Sequence, residues 1–139
     1  MRRAFSAIEL TIVVGVVSVV SAIAMPAMTR LLDRIRVRGA VTQVEALFGA
    51  ARHIAIARAR TANVEIDTLA RAVFVTVDGD TVREGDIGIE HGVELSTNRS
   101  SMSYAPTGIG YGAANLSVVV RKSAAADTIV VSRLGRVRH

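Results

Sequence analysis

The sequence predicts an α+β chain, a long N-terminal helix followed by an antiparallel β-sheet domain, and two observations carry that expectation. Apolar residues recur at three- and four-residue steps from near the N-terminus to about residue 60, and after Thr61 the period changes to two. Turn chemistry then cuts the remainder into short strands with no helical pattern between them, the order of an α+β fold. A chain of 139 residues suits one modest domain plus an anchor.

The helix is expected over residues 5–60, about 80 Å if straight. Its first half is apolar all round. Residues 10–29 carry no charge, which is about the length that crosses a hydrocarbon core of roughly 30 Å. Its second half is amphipathic: Leu31, Leu32, Ile35, Val41, Val44, Leu47, Phe48, Ala51 and Ile54 mark one face, and Arg30, Arg34 and Arg38 stack on another. Pro26 removes a backbone donor inside the pattern, so the helix is expected to kink or loosen there. Glu9 is the residue that needs explaining. An ionised carboxylate near a bilayer centre costs on the order of 3 kcal/mol, less toward the end of a span, and it requires a partner.

Beyond the helix, Val64 and Ile66 alternate with polar residues, and residues 72–77 (AVFVTV) read as a strand. Asp78-Gly79-Asp80 is a hairpin turn into Thr81-Val82-Arg83. Further strands are expected at residues 93–96, 102–104, 116–121 and 128–132. Glu84-Gly85-Asp86, Asn98, Pro106-Thr107-Gly108 and residues 124–127 supply the turns between them.

Composition narrows the function classes. There is no cysteine, which excludes disulfides and thiolate metal sites. The formal charge is +5, and every cation but Lys122 is arginine, the residue suited to forked contacts with phosphate or carboxylate; high-GC coding gives the same bias. Aromatic residues are too scarce for a single-strand stacking platform. His53, His91 and His139 are scattered, so no metal site is expected, and no nucleophile stands with a base, so neither an enzyme nor a cofactor is expected. Asp78, Asp80, Glu84 and Asp86 form a carboxylate cluster without the spacing of a calcium loop, and residues 108–112 form a glycine-rich loop without the lysine of a phosphate cradle.

The N-terminus resembles the class III signal of type IV pilins and type II secretion pseudopilins: Arg2 and Arg3, a small residue at Ala4, then Phe5-Ser6-Ala7-Ile8-Glu9-Leu10. The resemblance implies a leader of residues 1–4, removal by a prepilin peptidase between Ala4 and Phe5, and methylation of the new amino terminus. Counted from Phe5, Glu9 is the fifth residue and Pro26 the twenty-second, both positions where the family carries those residue types. Ala4 departs from the glycine usual before the cut; as a small substitute it implies retained, slower cleavage. Residues 5–28 would then be the transmembrane and filament-core half of the helix, 29–61 its amphipathic half, and 62–139 the sheet domain. In this family the carboxylate meets the amino terminus of a neighbouring subunit, so Glu9 would set axial register and Pro26 would shape the packed helix. Two other readings of the N-terminus stay open. Ala22-Ile23-Ala24 fits an ordinary secretory cleavage site, and the segment could be a plain anchor.

The C-terminal segments PTGIGYG, LSVVV and IVVSRLGRVR resemble the GspH/FimT group, whose domains often end on a G-R-x-R strand, here Gly135-Arg136-Val137-Arg138. The resemblance implies a minor pseudopilin or minor pilin partnered by other such subunits, held single-pass in a bacterial inner membrane with its C-terminal domain outside the cytoplasm, and assembled into a periplasmic or surface filament. In some minor pilins of this group the G-R-x-R arginines serve DNA uptake. The residues allow it: Arg136 and Arg138 share a strand face, and Arg133, Arg121 and Lys122 lie in neighbouring sequence. Such a basic end could clamp double-stranded DNA through phosphates. The competing expectation pairs these arginines with Asp78, Asp80, Glu84 or Asp86 to close a sheet edge.

Overall fold

The computed structural model describes residues 6–112, 116–132 and 136–138. The chain divides into two compact units, Met1–Leu32 and Asp33–His139. Helix α1 spans Ala7–Arg58. It is followed by β1 (Ala62–Asp67), β2 (Ala72–Val77), β3 (Asp80–Gly85), α2 (Ile87–His91), β4 (Glu94–Thr97), β5 (Ser101–Tyr104), β6 (Gly110–Tyr111), β7 (Leu116–Lys122), β8 (Ala125–Val131) and β9 (Val137–Arg138). The α+β class is as the sequence predicts.

In the first unit, the helical residues from Ala7 to Leu32 are exposed throughout, and α1 contains a stretch long and apolar enough to cross a membrane. The helix continues through Pro26, with the Thr29 hydroxyl donating to the Pro26 carbonyl at 3.1 Å. In the second unit the same helix is amphipathic. Val37, Ala40, Val41, Val44, Leu47, Phe48, Ala51 and Ala55 are buried at helical spacing. Of the apolar face expected from sequence, Leu31, Leu32 and Ile35 lie before this stripe and are exposed.

The strands form two antiparallel sheets, one ordered β3-β2-β1-β5-β6 and the other β4-β7-β8-β9. The inward residues of both sheets, such as Val64, Val75, Met102, Val118, Val120 and Ile129, join the helix stripe in one core. The β2–β3 hairpin confirms its signature: Asp78 and Gly79 take φ of 54° and 93°, the two positive values a type I′ turn demands. Elsewhere the boundaries move. Glu84 and Gly85 belong to β3, and Asp86 precedes α2, a helix the strand period gave no sign of. The β7–β8 turn is tighter than expected, with Ser123 at φ 51°, so β8 begins at Ala125. Gly110 and Tyr111, expected in a loop, pair with β5.

Helix α1 ends in a Schellman closure. Arg60 N–H donates to Ala55 O and Ala59 N–H to Ile56 O, both at 3.2 Å, with Ala59 at φ 49°. That conformation disfavours a side chain by about 1 kcal/mol. Ala59→Gly should therefore raise stability by up to about 1 kcal/mol, read as a shift in denaturant midpoint at unchanged slope.

Tyr104 ends β5 in the core, fully buried, and its hydroxyl finds no hydrogen-bond partner among the described residues. Burial pushes its pKa up to about 12, against a smaller lowering by Arg52. The neutral phenol is thus favoured by the fold. Stability is unaffected by this group below the unfolded pKa of about 10 and falls as pH rises from there through about 12. Tyr104→Phe should flatten that alkaline loss and leave neutral-pH stability equal or slightly higher, since it removes a buried hydroxyl with no protein partner. Chemical denaturation at pH 7 and pH 11 checks both.

Candidate assembly helix and basic strand

The carboxylate of Glu9 lies in the first turn of α1, and Ser6 stands three residues before it. Ser6 N–H donates to Glu9 Oε2, and Glu9 N–H reaches the Ser6 hydroxyl, each at 3.4 Å. Ser6 O accepts from Glu9 N–H at 3.1 Å and from Leu10 N–H at 3.2 Å. This is a loose S-x-x-E capping box, which satisfies helix donors that otherwise have no partner. Glu9 therefore has a role within its own chain that the spacing Ser6–Glu9 could have announced. Ala4 and Phe5, the residues of the expected cut, lie outside the described residues. Pro26 lies well inside α1.

The basic residues separate into two groups. Val130 pairs with Arg138 and Val131 with Val137, so β9 is the edge of its sheet at the late end of β8. Val130 is on the outer face, and cross-strand pairs share a face, which puts Arg138 and its two-residue neighbour Arg136 outward. Both arginines are exposed, and no carboxylate lies within ion-pair distance of either among the described residues. The acids suggested as their partners sit elsewhere: Asp78, Asp80 and Glu84 are on the β2–β3 hairpin of the other sheet, and Asp86 follows it. Asp78 pairs with Arg60 at 3.4 Å. Arg133 and Gly135 lie outside the described residues.

Arg121 and Lys122 occupy the opposite end of the sheet. Arg121 pairs with Ala126 on one side and Glu94 on the other. Ala126 and Val130 are four residues apart on β8, about 13 Å. Lys122 serves the fold. Its ammonium donates to Gly92 O at 2.6 Å and to His91 O at 3.4 Å, over the C-terminus of α2, where Gly92 takes φ 62°. The other side of α2 is tied to α1. Gln43 donates to Glu90 Oε2 and accepts from His91 Nε2 at 2.8 Å, and the His91 ring lies so close to Gly39 that a Cβ there would meet it at 3.0 Å.

Arg99 was not singled out from sequence, yet it lies at the same end of the sheet as Arg136 and Arg138, beyond β4 and three strands across from β9. Asn98 N–H donates to Ser117 O, and Ser117 faces Val130, which faces Arg138. This places Asn98 and Arg99 at the same end of the sheet. Arg99 Nη1 donates to Gly112 O at 2.7 Å and remains exposed. Among the described residues, no group of three or more histidines or carboxylates could hold a metal.

No protein-family model and no curated protein sequence matches the chain. Solved structures do. The type IV minor pilin FimU of Pseudomonas aeruginosa strain PAO1, in its P21 crystal form, is similar over 78% of this chain and 90% of that one, with TM-score 0.64 and 13% identity. Its P65 form is similar over 73% and 90%, with TM-score 0.59 and 13% identity. The minor pseudopilin EpsH of the Vibrio cholerae type 2 secretion system is similar over 74% and 94%, with TM-score 0.57 and 11% identity. The fold is pilin-like, in agreement with the resemblance read from the N-terminus.

Because Lys122 caps α2, Lys122→Met should lower stability by about 1 kcal/mol, seen in thermal melts, through loss of charge-assisted bonds to the terminal carbonyls.

Proposed function

We propose that the protein is a minor pilin or pseudopilin, a non-enzymatic subunit that enters a filament through its N-terminal helix. The observation that carries the reading is an apolar, uncovered helix joined to a domain of pilin-like fold. A prepilin peptidase would cut between Ala4 and Phe5, the new amino terminus would be methylated, and the inner membrane would hold the subunit by its apolar span until assembly. Lipid gives way to neighbouring helices on assembly, and the Glu9 carboxylate then meets the amino terminus of the next subunit in a medium where an unpaired charge is costly.

The capping box gives this a sharp test. Glu9→Gln keeps a side chain able to complete an S-x-x-E/Q box but removes the charge, whereas Glu9→Ala removes both. Both variants should insert in membranes and fail to co-purify with sheared filaments at wild-type levels. Wild-type incorporation of the glutamine variant would mean that Glu9 acts by capping alone.

A second reading adds double-stranded DNA as a partner, for uptake. It is favoured by the outward, carboxylate-free placement of Arg136 and Arg138, with Arg99 at the same sheet end. Binding through these arginines would be carried by phosphates and steeply dependent on salt. In filter or fluorescence-anisotropy titrations of the full chain in detergent, Arg136→Ala with Arg138→Ala should reduce the slope of log K against log salt by about two. An unchanged slope would leave the strand with an assembly role only.

A further inference from the structure

The outer face of the five-stranded sheet has a charge opposite in sign to that of the whole chain. Val64, Val73 and Val75 point into the core, so by alternation Glu65 and Phe74 point away from it. Glu65 of β1 pairs directly with Phe74 of β2, and Phe74 pairs on its other side with Glu84 of β3. Cross-strand partners share a face, so the three side chains stand in one row with the ring in the middle. Phe74 is half-buried and stands outside the core that takes Val73 and Val75 on either side of it.

Strands lie about 4.8 Å apart, which sets the two glutamates about 10 Å apart across the ring. Both glutamates are exposed, and neither has an ion-pair partner among the described residues. Strands β1, β2, β5 and β6 contain no lysine or arginine. Arg83 of β3 lies opposite the buried Val75 and so belongs to the other face. In a chain of net charge +5, this row is negative and has no cation of its own.

We propose that Glu65, Phe74 and Glu84 form a docking site for an arginine side chain presented by another polypeptide. The guanidinium plane lies on the negative face of the Phe74 ring, and its N–H groups donate to Glu65 on one side and Glu84 on the other. A lysine ammonium is a point charge and does not span both carboxylates while it sits on the ring. The row therefore selects arginine. Two carboxylates without a counter-charge also disfavour an anionic ligand on this face. The inference does not depend on the filament reading. It uses side chains of one sheet within Asp33–His139, and its failure would leave the uncovered helix and the pilin-like fold as they stand.

The test is an NMR titration of the full chain in detergent with three end-blocked glycine–serine peptides that differ in one central residue. That residue is arginine, lysine or citrulline, the neutral isostere of arginine. Resonances of the Phe74 ring and of the Glu65 and Glu84 side-chain carboxylates report occupancy. The arginine peptide should shift them with an apparent affinity about fivefold above that of the lysine peptide, and the citrulline peptide should leave them in place. Phe74→Leu should weaken the arginine peptide by about fivefold. Glu65→Gln with Glu84→Gln, both at exposed positions, should weaken it by about tenfold or more. Unshifted resonances with the arginine peptide at millimolar concentration would overturn the proposal. So would equal binding of the lysine or citrulline peptide, or an unchanged affinity in the double glutamine variant. Amide spectra of each variant report whether it is folded.

Discussion

An apolar helix surface that no other described residue covers is the constraint on which the rest depends. The helical residues up to Leu32 have no counterpart in the core, while the core built from Val37 onward closes on itself with two sheets. At about 25 cal/mol per Å² of apolar area, exposure of such a surface to water is disfavoured. On the proposed reading it lies in lipid or among other helices. A subunit that exchanges one for the other loses little hydrophobic stabilisation, so polar groups within the span decide which arrangement is favoured. Glu9 is the acidic residue in that span, and its in-chain bonds to Ser6 are long, at 3.4 Å. On the proposed reading, a carboxylate held this loosely exchanges its cap for the amino terminus of a neighbouring subunit.

The domain is organised so that its two ends have different chemistry. One end of the four-stranded sheet carries Arg136, Arg138 and Arg99, free of carboxylates among the described residues. At the other end, only some of the cations are absorbed into structure. Lys122 closes α2 and Arg121 faces Glu94, while Arg34 and Arg38 remain open beside β8. The net charge of +5 is therefore a poor guide to any one surface. Placement sorts the cations into supports and free donors.

Much of this was legible in the chain. The change of period after Thr61 marked the end of the helix, and Asp78-Gly79 fixed the β2–β3 hairpin, because both signals are local. What escaped is non-local. Helix α2 has five residues with no side-chain N-cap bond, and it is held by Gln43 and Lys122 from distant parts of the chain. β6, with two residues, exists only through its pairing with β5. The basic residues were neighbours in sequence, but the β7–β8 hairpin carries Arg121 and Lys122 to one end of β8 while β9 returns to the other. In the reverse direction, the Ser6–Glu9 box was written in the sequence and was read only for its charge.

The central claim is that the uncovered helix passes from lipid to other helices on assembly. The absence of cysteine allows a single reporter to be introduced at Val17, midway along the apolar stretch. An environment-sensitive fluorophore there should be quenched by spin-labelled lipid in bilayers of the lone subunit. In assembled filaments it should keep its apolar emission and lose the lipid quenching. Continued quenching by lipid in filaments, or emission typical of water, would contradict the account.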